Sequence, residues 1–166
     1  GINVAGMVGH TAVRYYVMGE RSVEELATDE EIQQMAEIVG ESMDSGAVGF
    51  STNRYPPHVG PDGRSIPGTY AEAKELLGIA KVVGQKKGLM QNVLGVGGQP
   101  EFSVKLLKDL ASTTGDRILF SIGAGPDPAS GKRVRNLLKK LCKDDGDITG
   151  ISQPRSSGFM FGLQSG

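Results

Sequence analysis

Hydrophobic residues recur along this chain in two alternating patterns, namely short continuous apolar runs and longer stretches with a spacing of three or four residues. The apolar runs predict buried parallel strands at residues 2–10, 47–52, 89–94, 117–122 and 147–153. The stretches between them have the spacing of amphipathic helices. Because no hairpin signal joins neighbouring runs, we expect the order βαβαβαβαβ, with right-handed crossovers and a parallel sheet.

Capping residues mark the beginnings of two of the predicted helices. Thr28 is followed three residues later by Glu31, and Thr69 is followed by Glu72, which is the spacing of a capping box. Glycines follow the last apolar position of these helices and favour their ends there. The predicted helices span residues 28–46, 69–88, 99–115 and 134–141, and a short helical turn spans residues 11–18.

Two α/β architectures fit this order of elements. A flavodoxin-like open sheet of five strands would be complete in 166 residues, whereas a TIM-type (β/α)₈ barrel would be present only in part. Length favours the open sheet. However, residues 154–166 supply no closing amphipathic helix, and the first strand starts with the chain. We therefore expect residues 1–166 to form a single segment of a barrel, cut at both ends, whose open sheet edges favour self-association.

Composition excludes several classes of function. Lys and Arg number 18 against 19 Asp and Glu, so no net basic charge attracts nucleic acid or an anionic membrane. No apolar run approaches the roughly 20 residues of a membrane span. The single cysteine, Cys142, lies among the leucines of a predicted helix and favours a buried structural thiol. We expect a cytoplasmic chain with neither a nucleic-acid nor a membrane partner.

Polar residues mark the ends of the predicted strands. They are His10, Ser51, Thr52, Gln91, Asn92, Ser121 and Gln153. In a parallel barrel these positions meet at one mouth and would form a polar ring above an apolar core. The alternative is that strand ends are polar simply because they meet water.

His10 is followed four residues later by Arg14, and this pair has two interpretations. In a site, the imidazole would act as acid, base or ligand while the guanidinium holds a carboxylate through two hydrogen bonds. In a structural role, the histidine at the end of the strand would hydrogen-bond to backbone. Spacing alone leaves both open.

The longest predicted loop follows the second strand and spans residues 53–69. It is rich in Pro and Gly and carries Arg54, Tyr55, His58, Asp62 and Arg64. Loops of this length in compact domains are usually functional or disordered. Its position between a strand and a helix is one where parallel α/β proteins place their sites.

The sequence contains no recognised metal-ligand spacing. Two histidines and one cysteine are scattered over 142 residues, without an HxH, HExxH or CxxC motif, so no metal is expected in this segment. A glycine-rich loop with Gly97 and Gly98 precedes a predicted helix, where free backbone amides can bind an anion. A non-catalytic small-molecule or anion-binding α/β domain is therefore the alternative to an enzyme.

Two segments resemble a known family. Residues 8–19 read VGHTAVRYYVMG, and residues 27–52 read ATDEEIQQMAEIVGESMDSGAVGFST. They resemble the N-acyl-D-amino-acid deacylases, or D-aminoacylases, of the amidohydrolase superfamily, which carry VGH-x-x-x-R-x-x-x-MG and G-A-x-G-F-S-T. Residues 58–77 and 152–163 are similar to a branch of that family with a DGR-x-x-PGT loop.

The resemblance implies a metal-dependent (β/α)₈ barrel, in a longer chain, that hydrolyses an amide bond in a small acylated amino acid. A zinc-type ion would polarise the acyl carbonyl and supply hydroxide. The family's HxH, its cysteine ligand and its catalytic aspartate have no counterpart in these residues. Two further histidine ligands of the family fall at Val93 and Ile122, which cannot bind a metal. Zinc or a similar divalent ion is thus implied for the full-length protein, and the segment alone is expected to be inactive.

The same resemblance implies which residues contact the substrate. His10 and Arg14 match the VGH segment, and Ser51, Thr52 and Tyr55 fall near the substrate mouth. The substrate-binding candidates are His10, Arg14, Ser51, Thr52, Tyr55, His58, Arg64 and Arg155, with Asp62 beside Arg64 in the loop. Arg155, after the fifth strand, is expected to meet a substrate carboxylate.

Overall fold

The structure is a computed structural model and describes residues 1–93, 100–115, 117–121 and 148–151, together with residues 129, 132, 135, 136 and 139. The strands are β1 (Val8–Gly9), β2 (Gly49–Asn53), β3 (Leu89–Val93), β4 (Ile118–Ser121) and β5 (Ile148–Ile151). The helices are α1 (His10–Met18), α2 (Asp29–Asp44), α3 (Ala73–Gln85) and α4 (Pro100–Thr114), and a 3₁₀ turn covers Gly19–Ser22. From β1 to β4, strands and helices alternate as the sequence pattern predicts.

The five strands form one parallel sheet in the order of the chain, β1-β2-β3-β4-β5. Phe50 lies beside Met90, and Met90 lies beside Ile118. A flavodoxin-like sheet has the order 2-1-3-4-5, with the second strand outside the first. The observed order rules out that alternative and is the order of consecutive strands in a barrel.

Alternate residues of the strands divide the sheet into two faces. The strand residues on one face are buried in the same hydrophobic core as residues of the helices α2, α3 and α4. They are Phe50, Met90, Ile118, Phe120 and Ile148. Residues of the opposite parity, among them Ser51 and Gln91, are only partly buried. Because side chains alternate across a strand, these residues lie on the face away from the helices, which is the interior face in a closed barrel.

The predicted capping box of α2 is confirmed. The backbone N–H of Glu31 donates to Thr28 Oγ1 at 3.2 Å, and the backbone N–H of Thr28 donates to Glu31 Oε2 at 2.8 Å. The helix then buries Ile32, Met35 and Val39 on one face. Local sequence is sufficient here because all groups of the box lie within one turn.

The second predicted capping box is wrong. The helix α3 begins at Ala73, and its N-cap residue, Glu72, makes no side-chain capping hydrogen bond. Thr69 instead donates from Oγ1 to the carbonyl oxygen of Ile66 at 2.9 Å. The threonine is therefore used inside the loop, which continues to residue 72.

The first strand is shorter than predicted, and the helix after it is longer. Only Val8–Gly9 pair with β2, opposite Phe50 and Ser51. Gly9 has the extended backbone of an N-cap, and His10 begins a helix of nine residues where the sequence predicted a short turn. His10 is thus placed at a helix start instead of a strand end.

Several sequence predictions lie outside the described residues. They concern Ile122, Cys142, Gln153, Arg155, the glycine-rich loop at residues 94–99 and most of the predicted helix at residues 134–141. Among the described residues, no helix has the length and apolar character needed to cross a membrane.

Candidate functional site

A cavity of about 270 Å³ opens at the carboxyl ends of β1, β2 and β3. Its wall includes His10, Ser51, Asn53, Gln91 and Val93, with Ile66 from the loop at residues 54–72. This is the end of the sheet at which parallel barrels place their active sites. The cavity therefore forms where the sequence predicted a polar ring.

The His10 side chain joins three structural elements beside this cavity. Its Nε2 lies 2.7 Å from Glu75 Oε1 in the first turn of α3, and its Nδ1 lies 2.9 Å from Thr52 Oγ1 on β2. The imidazole also packs on the ring of Phe50, with a centroid distance of 5.4 Å. His10 is 1% exposed, and Thr52 and Glu75 are each 2% exposed, so these hydrogen bonds are shielded from water.

Arg14 binds the same carboxylate. It lies one helical turn after His10, so both side chains reach Glu75 from one face of α1. Arg14 Nε donates to Glu75 Oε1 at 2.8 Å, Nη2 donates to the carbonyl oxygen of Glu25 at 2.8 Å, and Nη1 donates to that of Ser22. With an exposed fraction of 2%, the guanidinium is engaged inside the protein and does not face the cavity.

The Glu75 carboxyl is held in its ionised form. Burial by itself raises its pKa, but the hydrogen bonds and charges of His10 and Arg14 outweigh burial and keep the pKa below the ordinary value. An ionised carboxylate only accepts hydrogen bonds, so His10 Nε2 carries the proton that it donates. The second hydrogen bond joins Nδ1 to the Thr52 hydroxyl, which can donate or accept.

The order carboxylate, imidazole and hydroxyl is also that of nucleophilic hydrolases. Two features set this arrangement apart from such a triad. Thr52 is 2% exposed, which hides its hydroxyl from a substrate. Arg14 shares the Glu75 oxygen that contacts His10, so the negative charge that would stabilise an imidazolium is already balanced. The geometry thus fits side chains that position the cavity wall.

Tyr55 and His58 contact the rim of the cavity through Asn53. Asn53 Oδ1 accepts a hydrogen bond from the backbone N–H of Tyr55 at 2.9 Å, and its Nδ2 donates to His58 Nδ1. The Tyr55 ring meets the His58 ring edge-on, with a centroid distance of 5.1 Å. The start of the loop is thereby tied to the last residue of β2.

Arg64 lies at a second cavity, of about 390 Å³, between α1 and the loop. It donates to Asp62 Oδ2 at 2.6 Å and to Glu20 Oε2 at 3.2 Å. Hydrogen bonds to Arg64 lower the pKa of Asp62, and a hydrogen bond from Tyr15, followed by that from Arg64, lowers the pKa of Glu20. Both carboxylates, of Asp62 and Glu20, are therefore paired with the Arg64 guanidinium.

The structure brings together only some of the candidate residues. His10, Ser51 and Thr52 meet at the first cavity, whereas Arg14 is buried behind it. Gln91 Nε2 donates to Ser121 Oγ at 3.3 Å on the interior face, whereas Asn92 is 1% exposed. Arg64 lines the second cavity, and Arg155 lies outside the described residues.

Sequence reasoning missed Glu75, the residue to which His10 and Arg14 both bind. A signal was present, because Glu75 lies within the buried stripe of α3 beside Leu76 and Ile79. A carboxylate is almost never fully buried unless it is paired. Its position in that stripe therefore indicates a cationic partner.

The described residues do not fit a metal centre. Within them, no group of three His, Cys, Asp or Glu side chains could hold an ion. Val93 ends β3 opposite Asn53 and presents an aliphatic side chain to the cavity. A divalent ion at this mouth would need ligands from other residues.

The comparison with known sequences finds one relationship over part of the chain. No protein-family model matches it. Over 57 residues the chain is 47% identical to a D-aminoacylase of Alcaligenes xylosoxydans xylosoxydans, and the match covers 34% of this chain and 11% of that protein. The chain therefore spans a small part of the length of this relative.

Comparison with solved structures supports the barrel. A D-aminoacylase with a binuclear metal centre, described by one-metal activation and second-metal attenuation, superposes with a TM-score of 0.74 at 21% identity. The superposition covers 93% of this chain and 31% of that one. An L-hydantoinase (dihydropyrimidinase) from Arthrobacter aurescens gives a TM-score of 0.45 at 13% identity over 78% of this chain and 31% of that one, which is too distant to add to the assignment. The five-stranded sheet thus corresponds to part of the D-aminoacylase barrel.

Proposed function

Because this chain is D-aminoacylase-like and related to the amidohydrolase superfamily, we propose that the protein that carries it hydrolyses the amide bond of small N-acylated amino acids. The observation that carries this proposal is the 47% identity to D-aminoacylase over 57 residues. The cavity at the carboxyl ends of β1, β2 and β3 adds support, because barrel enzymes act at this end.

We further propose that the full-length protein uses zinc or a similar divalent ion. The support is the binuclear metal centre of the D-aminoacylase that shares the fold. Since the described residues include no ligand set, other residues would hold the ion. The 166-residue chain alone is accordingly proposed to be inactive, and its cytoplasmic location stays a prediction.

The described residues have a role in binding and orienting the substrate. Ser51 and Gln91 bring neutral hydrogen-bonding groups to the cavity, whereas Ile66 and Val93 bring aliphatic surface. Arg14 and Glu75 form a buried ion pair with each other behind the cavity wall. A cavity of this character suits the uncharged acyl part of an N-acylated amino acid better than its carboxylate.

The test uses the complete protein, produced from its full open reading frame and purified without chelator. Release of free amino acid is measured from N-acetyl-D-amino acids, with the N-acetyl-L-amino acids as matched controls, and metal content is measured by elemental analysis. We expect hydrolysis with preference for the D-series, loss of activity on chelation and its return on reloading with zinc. The isolated 166-residue chain should release nothing.

One result would reverse the proposal. If the complete protein hydrolyses neither series after reloading with zinc, cobalt or manganese, the hydrolytic function is wrong. A non-catalytic binding domain then becomes the better description. Binding of an N-acetyl amino acid without turnover, measured by calorimetry, would support that description directly.

A further inference from the structure

The loop at residues 54–72 touches α1 at two adjacent positions. Gly68 has a φ of +94° and packs so closely on His10 that a Cβ at this position would lie 2.6 Å from His10 Nδ1. One residue earlier, the carbonyl oxygen of Pro67 accepts a hydrogen bond from Thr11 Oγ1 at 3.0 Å. The loop therefore rests directly on the imidazole at the edge of the first cavity.

The remainder of the loop is internally bonded. Val59 and Ser65 form an antiparallel bridge, and the N–H of Gly60 donates to the carbonyl oxygen of Arg64 at 2.7 Å. These bonds make residues 59–65 a small hairpin-like unit. Ile66, which lines the first cavity, lies between this unit and the contact at Gly68.

His10 is itself immobilised from two sides. Glu75 binds Nε2, and Thr52 binds Nδ1. Glu75 lies just after the loop, in the first turn of α3. The helix that follows the loop therefore fixes the His10 ring against which the loop packs. Arg14 completes the set by holding the Glu75 carboxylate.

We propose that Glu75 is a positioning residue that, by fixing His10, seats the 54–72 loop through Gly68 as one wall of the cavity. Ile66 then faces the cavity in a defined place. The effect on substrate rests on the proposed function, whereas the seating of the loop is measurable without any substrate.

The first test replaces the carboxylate in the complete protein. Glu75→Met keeps the length of the side chain and removes the acceptor, whereas Glu75→Gln keeps an oxygen that can accept from both His10 and Arg14. Amide hydrogen exchange is followed by mass spectrometry. In Glu75→Met we expect exchange in residues 66–71 to rise about tenfold, with α2 unchanged, as for local opening. Glu75→Gln should restore most of the protection.

Glu72→Met is the matched control for this substitution. Glu72 precedes α3, is exposed and makes no side-chain capping hydrogen bond. Its replacement changes the same charge near the same helix without touching His10. Exchange in residues 66–71 should therefore stay at the wild-type rate.

The second test acts from the loop. Gly68→Ala places a Cβ against His10, whereas Gly63→Ala imposes the same kind of backbone strain, at φ +79°, with nothing within 4 Å of the new atom. We expect Gly68→Ala to raise exchange in residues 66–71 and Gly63→Ala to leave it unchanged. This pair separates the contact with His10 from the cost of a side chain at positive φ.

The outcomes decide the proposal even if one variant is unstable. If Glu75→Met raises exchange equally in α2, Gly68→Ala decides, and unchanged exchange in residues 66–71 of that variant overturns the proposal. If the wild type hydrolyses N-acyl amino acids, Glu75→Met and Gly68→Ala should each raise KM by about tenfold while kcat stays within about threefold, because they displace the loop that forms one wall of the cavity. Absence of hydrolysis in the wild type would refute the proposed function and leave the exchange result intact.

Discussion

Replacing Arg14 with Met tests how much the buried ion pair stabilises the fold. Met keeps the packing of the aliphatic stem but leaves the Glu75 carboxylate buried with its hydrogen bond to His10 and without the one from Arg14. It also removes the donors to the carbonyl groups of Ser22 and Glu25. Removal of one member of a buried pair typically costs about 3–5 kcal/mol. We expect the free energy of unfolding to fall by about 4 kcal/mol, a large part of the total of roughly 5–15 kcal/mol.

The measurement is equilibrium unfolding of the complete protein in guanidinium chloride at pH 7, followed by far-UV circular dichroism. Arg21→Met is the matched control, because the Arg21 side chain is 47% exposed and makes two ion pairs at 2.8 Å, with Glu25 and Glu31. Exposed pairs contribute about 0–1 kcal/mol, so this variant should unfold close to the wild type. Arg14→Lys should not restore stability, since one ammonium cannot serve three acceptors arranged for a planar fork.

Acidification gives an independent check of the same pair. The pKa of Glu75 is lowered in the folded state, so its contribution to stability is present above the unfolded pKa of about 4.3 and is lost as pH falls through the folded pKa. Without Arg14 the pKa of Glu75 rises, so the difference in stability between the two proteins should narrow as pH falls from 7 towards the folded pKa of Glu75. The part due to the lost hydrogen bonds to Ser22 and Glu25 should remain at every pH. Equal destabilisation by Arg14→Met and Arg21→Met, or a difference that stays constant from pH 7 to 4, would refute the reasoning.

Two further substitutions test the sheet and the helix cap. In Gly49→Ala the new Cβ would lie 1.9 Å from the carbonyl oxygen of Leu89, so β2 and β3 cannot keep their pairing, and we expect destabilisation by more than about 3 kcal/mol or insoluble protein. Gly9→Ala, with nothing within 4 Å, is the control, and equal thermal midpoints for the two would contradict the expectation. Thr28→Ala should lower the free energy of unfolding by about 1 kcal/mol, measured in guanidinium chloride, while Thr28→Ser, which keeps the hydroxyl, should not.

The sequence predicted those parts of the fold that depend on neighbours along the chain. The periodicity of Ile32, Met35 and Val39 identifies α2, and its capping box is confirmed, because every group involved lies within a few turns. The same motif at Thr69 failed, since a local spacing cannot report that the hydroxyl has a partner inside the loop. A boundary also moved: β1 ends at Gly9 because the helix α1 begins at His10.

The candidate site was predicted in outline and missed in its central contact. Ser51 and Thr52 follow from the rule that strand ends converge, and His10 lies beside them because it comes directly after β1. Glu75 does not, because it meets His10 across 65 positions of sequence, and spacing carries no information about such a contact. The choice between barrel and open sheet likewise needed long-range information. The order of the strands is that of a barrel, whereas chain length alone favours the open sheet.

Because the order of the strands in the sheet equals their order in the chain, each strand can pair with one that has already been made. Such local pairing favours stepwise folding, in which β2 joins β1 and β3 then joins β2. The wall of the cavity forms later than the strands on which it lies. His10 appears early, but the carboxylate that fixes it belongs to α3, so during synthesis the loop between them can settle only after that helix has formed.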